Sequence, residues 1–380
     1  MIAKTFARMQ QIDFWFLIFL VTLVGLGLMI LHTASISLND SATSKELPAF
    51  FKQLYIGIIP GILLFFIVQA LPYRIWKPGG CVIYGLAFIL NLLVLHPALG
   101  LSDGGATRWL GFELFSFQPS ELFKLGLILC LSFVLAKRKD NINSPASVIR
   151  FLLLIGIPVG IVALVQSNMS TAALIAGIGG SLLLVSRLHL LWLGSFVLFV
   201  LLAGGVGMAL QDYRMERVTE HAQLVTGDQV QTCAENTQQY WHLCQNLIAV
   251  GSGGITGVGL GEGVQKFNYV PKSANDSIFA IYAEEMGLVG VTFFFLLMLG
   301  IVYRGLVIAG KQRDDDFARL VVLGIIAWLV LQMFINVGST VGLLPVTGIT
   351  LPFVSQGNTS LWVLFIAVGI IASISKSSRA

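Results

Sequence analysis

Carboxylates at the edge of an apolar helix are where this chain could do chemistry. Asp276 stands just before an apolar run that opens near Ser277, and Glu284 and Glu285 follow deeper along the same run. Upstream lies GSGGITGVGLGEG (251–263), a stretch whose glycines allow backbone conformations closed to other residues. It is too polar and too glycine-rich to sit in lipid. A carboxylate at a water–lipid boundary, behind such a loop, is placed to act on a membrane-borne substrate. The helix N-terminus favours its charged form, which keeps it available as a base. The plainer reading is a helix cap: Asn275 and Asp276 precede the helix, and Ser273 three positions before Asp276 resembles a capping box.

Other residues could join it. Glu121 and Lys124 are three apart at the start of another apolar run and share a helix face. Ionisable groups inside a membrane are functional candidates by default, with a structural ion pair as the alternative. Arg108 and Trp109 lie in a polar excursion at 100–121, where a Trp more often anchors to the interface. Arg214 and Arg217 run against the charge bias of their loop, so they suit an anionic ligand such as a diphosphate, or a lipid headgroup. Cys233 and Cys244 share a long polar loop, where an oxidising compartment would let them close a disulfide; Cys81 and Cys130 fall in apolar runs and read as packing residues. GxxxxGK[ST], HExxH and Cys/His clusters do not occur, so neither a P-loop nor a zinc site is written here, and the glycines follow no βαβ pattern.

The elements that must position these groups are membrane helices. Of the 380 residues 56% are hydrophobic and 11% charged, against about 25% charged in soluble domains. The apolar runs are continuous and about 20 residues long, the length of a spanning helix rather than of a barrel strand. About ten spans are expected: 14–31, 53–70, 81–99, one ending at 137, 151–165, one following the break QSNMS (166–170) to 186, 191–210, 277–304, 320–338 and 353–374. The basic segments are the N-terminus with Lys4 and Arg8, Arg74 and Lys77, Lys137 to Lys139, Arg187, 304–319, and the C-terminus with Lys376 and Arg379. They fall at every second turn. The positive-inside rule then places both termini in the cytoplasm and 100–121, 166–170 and the large loop 211–276 outside. The expected fold class is all-α: one polytopic membrane domain over 1–380 with one large extracytoplasmic loop.

Four segments carry a family resemblance: RWLGFELFSFQPSELFKL, IAVGSGGITGVGLGEGVQKFNYVP, IFAIYAEEMGLVG and NVGSTVGLLPVTGITLPFVS. With these in order over nearly its whole length, the chain resembles the SEDS family (FtsW, RodA, SpoVE) of bacterial peptidoglycan polymerases. DFWFLIFLVTLVGLGLM and GEGVQKFNYVP lean toward the division members. The resemblance implies an inner-membrane glycosyltransferase that polymerises lipid II on the extracytoplasmic side. It places the family's essential aspartate at Asp276, its glutamate and lysine after QPS at Glu121 and Lys124, and its RW pair at Arg108 and Trp109. Ser355, which falls in the family's GLLP…TG…LPF…S pattern, and Glu285, Arg214 and Arg217, named from their own chemistry, are the further substrate-binding candidates. The chain departs from the family pattern at Ser167, at Asn168, where an acid is usual, and at Ala274, Asn275, Gln356 and Asn358.

The implied reaction joins the 4-hydroxyl of one lipid-linked sugar to the anomeric carbon of another. A polyprenyl diphosphate leaves, Asp276 acts as base, and cations or a divalent metal such as Mg meet the diphosphate charge. The implied partners are lipid II, a class B penicillin-binding protein transpeptidase and other divisome or elongasome membrane proteins, with no nucleic acid. The rival readings are a flippase for the same lipid and a scaffold that only recruits a transpeptidase. The orientation has its own test. A cysteine placed at Ser102 or Asp228 is expected to react with an impermeant thiol reagent in intact cells, and one at Ser144 is not; labelling at Ser144 would invert the topology.

Overall fold

The computed structural model describes residues 12–39, 49–97, 99–103, 106–111, 116–186, 188–209, 241–267, 270 and 274–377. Among the described residues eight helices are long and apolar enough to cross a membrane. They are α1 (Phe14–Asn39), α2 (Phe50–Ala70), α3 (Tyr73–Leu93), α4 (Pro119–Lys137), α5 (Pro145–Val165), α9 (Ile278–Lys311), α10 (Asp316–Thr340) and α11 (Asn358–Ser377). Two shorter apolar helices, α6 (Met169–Val185) and α7 (Leu190–Ala209), fall where the other expected spans lie. A short helix, α8 (Trp241–Ser252), stands inside the stretch expected to be only polar loop. The chain is a multi-pass helical membrane protein.

Two differences from the expected spans have clear causes. The last helix begins at Asn358, not near Phe353, because Pro352 and the positive φ of Phe353 (63°) keep 348–357 out of helix. The excursion at 100–121 is partly β: β1 (Gly100–Asp103), β2 (Ala106–Gly111) and β3 (Ser116–Phe117) form an antiparallel sheet in the order β1-β2-β3. The spacing of polar and apolar residues there is too irregular to announce it.

α4 and α11 are the central helices. In their most apolar windows 78% and 83% of residues are buried, against 17% for the peripheral span that contains α3. Small residues let neighbours close in on them. A Cβ at Gly80 would stand 2.5 Å from Leu129 Cβ, and one at Gly61 would meet the Phe365 ring at 2.3 Å. Close backbone approach at small residues is how helices associate in lipid, where apolar burial alone gives no advantage.

The basic turns at 74–77, 137–139 and 304–319 gather at one end of the bundle. Lys77 Nζ lies 2.9 Å from Asp315 Oδ2, Tyr73 donates to the same oxygen at 3.0 Å, and Lys139 pairs with Asp316 at 3.4 Å. Arg304 on α9 pairs with Asp13 at the start of α1. Asp315 also caps α10 through the amides of Phe317 and Ala318. Burial works to raise the Asp315 carboxyl, but its bonds from Lys77, the Ala318 amide and Tyr73 hold it below the ordinary carboxylate value. Its contribution to stability is therefore present above the unfolded-state value and lost as pH falls through the folded one.

The glycine-rich stretch is built into α9. That helix breaks at Gly287 (φ 60°, ψ −165°), and the chain at 253–259 lies against the break. Leu288 N–H donates to Gly254 O at 3.0 Å and Val289 N–H to Ile255 O at 3.1 Å. In return Val258 N–H donates to Glu284 O at 3.0 Å and Gly259 N–H to Glu285 O at 3.1 Å. The loop thus supplies the partners that the interrupted helix has lost. Two of its glycines are required by contact: a Cβ at Gly257 would stand 2.2 Å from Glu285 O, and one at Gly253 2.1 Å from Ala283 O. On the other side of the loop Ile255 and Val264 are exposed. Cys244 in α8 is disulfide-bonded, Cys81 and Cys130 are free thiols, and Cys233 lies outside the described residues.

Gly287 occupies a backbone region reserved for glycine and has Gly257 N 2.2 Å from where its Cβ would be. Gly287→Ala is expected to cost about 1–3 kcal/mol from backbone strain alone and to lower the Tm of the purified protein. Gly310→Ala, on the same helix with open space around it, is the control and should leave the Tm level or higher. Equal Tm for the two variants would mean that the break in α9 is not what demands glycine.

Candidate active site

At the end of the bundle opposite the basic turns, four interruptions of regular structure meet around a cavity of about 150 Å³. They are β2, the break between α5 and α6, the turn before α9, and the 348–357 segment between α10 and α11. α4 supplies the floor. Glu121 and Lys124 face the cavity as an ion pair of 2.8 Å, 6% and 1% exposed. Lys124 also donates to Gln332 Oε1 at 3.1 Å and lies 5.0 Å from the centroid of the Trp328 ring. Gln332 takes a second bond from Trp328 Nε1 and donates to Thr350 O at 2.9 Å, so one buried amide joins the ion pair to the opposite wall.

Arg108 reaches from β2 to the break after α5, donating to Gln166 O at 3.2 Å and Ser167 O at 2.9 Å. Ser167 has a positive φ (50°), and Asn168 caps α6 by accepting from Thr171 N–H at 3.2 Å. Trp109 lines the cavity with Arg108.

Asp276 lines the same cavity, and its Oδ2 lies 3.6 Å from where a Cβ on Gly348 would be. The N-cap of α9 is Ser277, not Asp276, and among the described residues it makes no side-chain capping bond. The helix-cap reading of Asp276 does not describe this geometry. Ser277 Oγ instead meets His242 Nε2 of α8 at 2.8 Å. Three successive carbonyls hold the segment. Ala274 O accepts from Gln356 N–H at 2.9 Å, Asn275 O from Ser355 Oγ at 2.6 Å, and Asp276 O from Asn336 Nδ2 at 2.9 Å.

A family model described as cell cycle protein (FtsW, RodA, SpoVE) matches residues 14–380. The chain belongs to this family. It is 32% identical over 376 residues to stage V sporulation protein E of Bacillus subtilis, covering 97% of this chain and 98% of that one. It is 32% identical over 368 residues to the probable peptidoglycan glycosyltransferase FtsW of Coxiella burnetii, covering 95% of each. Among solved structures it superposes with a TM-score of 0.75 and 25% identity, over 97% of this chain and 98% of the other, on a chain described under "structural coordination of polymerization and crosslinking by a peptidoglycan synthase complex". Rod shape determining protein RodA of Thermus thermophilus shares the fold, with a TM-score of 0.70 at 24% identity over 97% and 98% of the two chains.

The SEDS positions named from sequence separate into groups. Asp276, Arg108, Trp109, Glu121 and Lys124 come together around the cavity. Ser355 stands behind the wall, bracing the Asn275 carbonyl and accepting from Leu351 N–H at 2.8 Å. Glu285 is not among the cavity-lining residues. It forms a fully buried ion pair of 2.7 Å with Lys266 beneath the glycine-rich loop, and Lys266 also donates to Gly261 O at 2.7 Å. Glu284 beside it accepts from the amides of Val264 and Gln265. These two acids hold the loop. Arg214 and Arg217 lie outside the described residues.

Sequence reasoning passed over Gln332, Asn336 and Thr350. The signal was available: Gln332 and Asn336 are four apart in an otherwise apolar span, and a buried amide needs partners as an ion does.

The Lys266–Glu285 pair makes a stability prediction. Removing one partner of a buried pair leaves an uncompensated charge and costs about 3–5 kcal/mol. Lys266→Met is expected to lower the Tm sharply, and Lys266→Met with Glu285→Leu to recover part of the loss. A single variant as stable as the parent, by thermal unfolding in detergent, would show that the pair does not secure the loop.

Proposed function

We propose that the cavity is where glycan strands are polymerised, and that the chain is a peptidoglycan glycosyltransferase acting on lipid II. The observation that carries this reading is the Asp276 carboxylate, fixed through its backbone in a cavity that also holds Arg108, Lys124 and Glu121. The relatives described as probable peptidoglycan glycosyltransferase FtsW support it.

The 4-hydroxyl of the acceptor's GlcNAc attacks the anomeric carbon of the donor's MurNAc. Asp276 accepts the hydroxyl proton as the O4–C1 bond forms. The C1–O bond to phosphate breaks, and its electron pair leaves with the polyprenyl diphosphate. Attack opposite the leaving group inverts the configuration, from an α-linked donor to a β-1,4 product. A diphosphate departs as a stable anion and needs cations more than an acid. Arg108 and Lys124 supply positive charge at the cavity, each already held by protein partners, and Arg214 and Arg217 are proposed to add to it. A volume of about 150 Å³ corresponds to a few water-sized groups at about 30 Å³ each. It suits the reacting atoms, while the lipid tails and peptides lie outside.

Mg²⁺ keeps several waters and binds through one or two carboxylates plus substrate phosphates. The cavity offers Glu121 and Asp276, and no group of three or more His, Cys, Asp or Glu that could hold a metal occurs among the described residues. A divalent cation such as Mg is proposed to arrive with the substrate diphosphate and to offset its charge.

The same reading places the protein in the bacterial inner membrane with the cavity on the extracytoplasmic side. The basic turns on the opposite end support this orientation. A class B penicillin-binding protein transpeptidase is the proposed partner, by likeness to a chain of a peptidoglycan synthase complex.

Asp276→Asn keeps the side-chain size but cannot accept a proton. It is expected to leave a folded protein whose polymerisation of purified lipid II falls by ~10² or more, the scale of a lost general base. Glu285→Gln, with activity measured per folded molecule, should lose less, since no chemical step passes through it. Near-parental polymerisation by Asp276→Asn would remove the catalytic reading and turn attention to a flippase or scaffold.

A further inference from the structure

Asn336 lies in α10, one turn beyond Gln332, and is fully buried. Its side-chain nitrogen makes two bonds of near-equal length, 2.9 Å to Asp276 O and 2.8 Å to Ile349 O. Both neighbours are carbonyl oxygens, so the amide can present only its N–H₂ end to them, and chemistry alone fixes its orientation. Among the described residues its own oxygen is buried without a hydrogen-bond partner. An orphaned acceptor is unfavourable and calls for an explanation. Packing does not supply one, because an apolar side chain of the same shape would fill the space without that cost. The donor end does: it ties the residue that carries the carboxylate to the facing wall, one residue from Gly348, which the carboxylate Oδ2 approaches.

The other two bonds on this segment do not replace it. Gln356 N–H and Ser355 Oγ hold Ala274 and Asn275 to the 348–357 segment. Of the three, only Asn336 is on a regular helix and only it holds Asp276 itself. Its own carbonyl is braced in turn by Ser339 Oγ and Thr340 Oγ1, both at 2.9 Å.

We propose that Asn336 is a positioning residue for the transfer reaction: its amide sets where the Asp276 carboxylate stands relative to the cavity wall at Gly348 and Ile349. The proposal rests on Asp276 acting as the base. A displacement of about 1 Å in a reacting group can cost ~10²-fold in rate. The cost should therefore fall on the chemical step and not on substrate binding.

The test is lipid II polymerisation by the full chain, with kcat and KM measured per folded molecule for Asn336→Leu, Asn336→Asp, Asp276→Asn and the double variant Asp276→Asn with Asn336→Leu. Leu keeps the volume without donors, and Asp sets an acceptor against two acceptors. The expected result is a kcat lowered ~10–100-fold in both Asn336 variants, KM within about threefold of the parent, and a double variant no slower than Asp276→Asn alone, because residues acting as a unit are not additive. Parental kcat in Asn336→Leu overturns the positioning role, and an inactive Asp276→Asn beside it leaves the base reading standing. Parental kcat in Asp276→Asn overturns both. A double variant tenfold or more slower than Asp276→Asn also overturns the proposal, since Asn336 would then act on something other than Asp276. If Asn336→Leu and Asn336→Asp do not fold, Asn336→Gln, which keeps the donor on a longer stem, decides: lowered kcat at unchanged KM supports the assignment, and parental kcat or failure to fold removes it.

Discussion

Backbone that leaves helical geometry at membrane depth must find hydrogen-bond partners within the protein, because lipid offers none. The structure answers this demand at each of its breaks. Arg108 covers the carbonyls of Gln166 and Ser167. Chain at 253–259 covers the broken ladder at Gly287. Ser355, Gln356 and Asn336 cover the carbonyls before α9. The same partners that satisfy these backbones draw three of the breaks together around one cavity. The polar site is thus a consequence of how interrupted helices are completed.

This explains why charged residues here serve two purposes. Arg108 and Lys124 line the cavity yet are already bonded, to backbone and to Glu121 and Gln332. Buried cations held this way are preorganised, so they need little rearrangement when negative charge develops nearby. Glu285 and Lys266 use the same chemistry for a different end. Fully buried and paired, they fasten the glycine-rich loop to α9. A carboxylate in a span of a membrane enzyme is thus not by itself a substrate ligand; its partner decides.

Much of the architecture was legible from the residues. Long apolar runs announced the helices, since only a helix satisfies its own backbone in lipid, and the alternating basic turns anticipated the end at which Lys77, Lys139 and Arg304 make their ion pairs. Asp276 stood out because an acid next to an apolar run has few explanations, and Glu121 with Lys124 because three-residue spacing shares a face. The small sheet at 100–117 was hidden, its strands being short and their alternation irregular. The true start of α11 was hidden as well, because Phe353 and Val354 read as the opening of an apolar run while Phe353 adopts a left-handed backbone.

The sequence by itself determined the class of protein, its family and the carboxylate at issue, because these depend on composition, on local periodicity and on motifs read along the chain. Only the tertiary structure decided which residues meet. Asn336 is 60 positions from Asp276, Ser355 is 80 from Asn275, and Lys124 is 208 from Gln332. Distances of that kind are set by how helices pack and where they break. An amide that holds the backbone of Asp276 looks, in the linear chain, like any other polar residue in an apolar span.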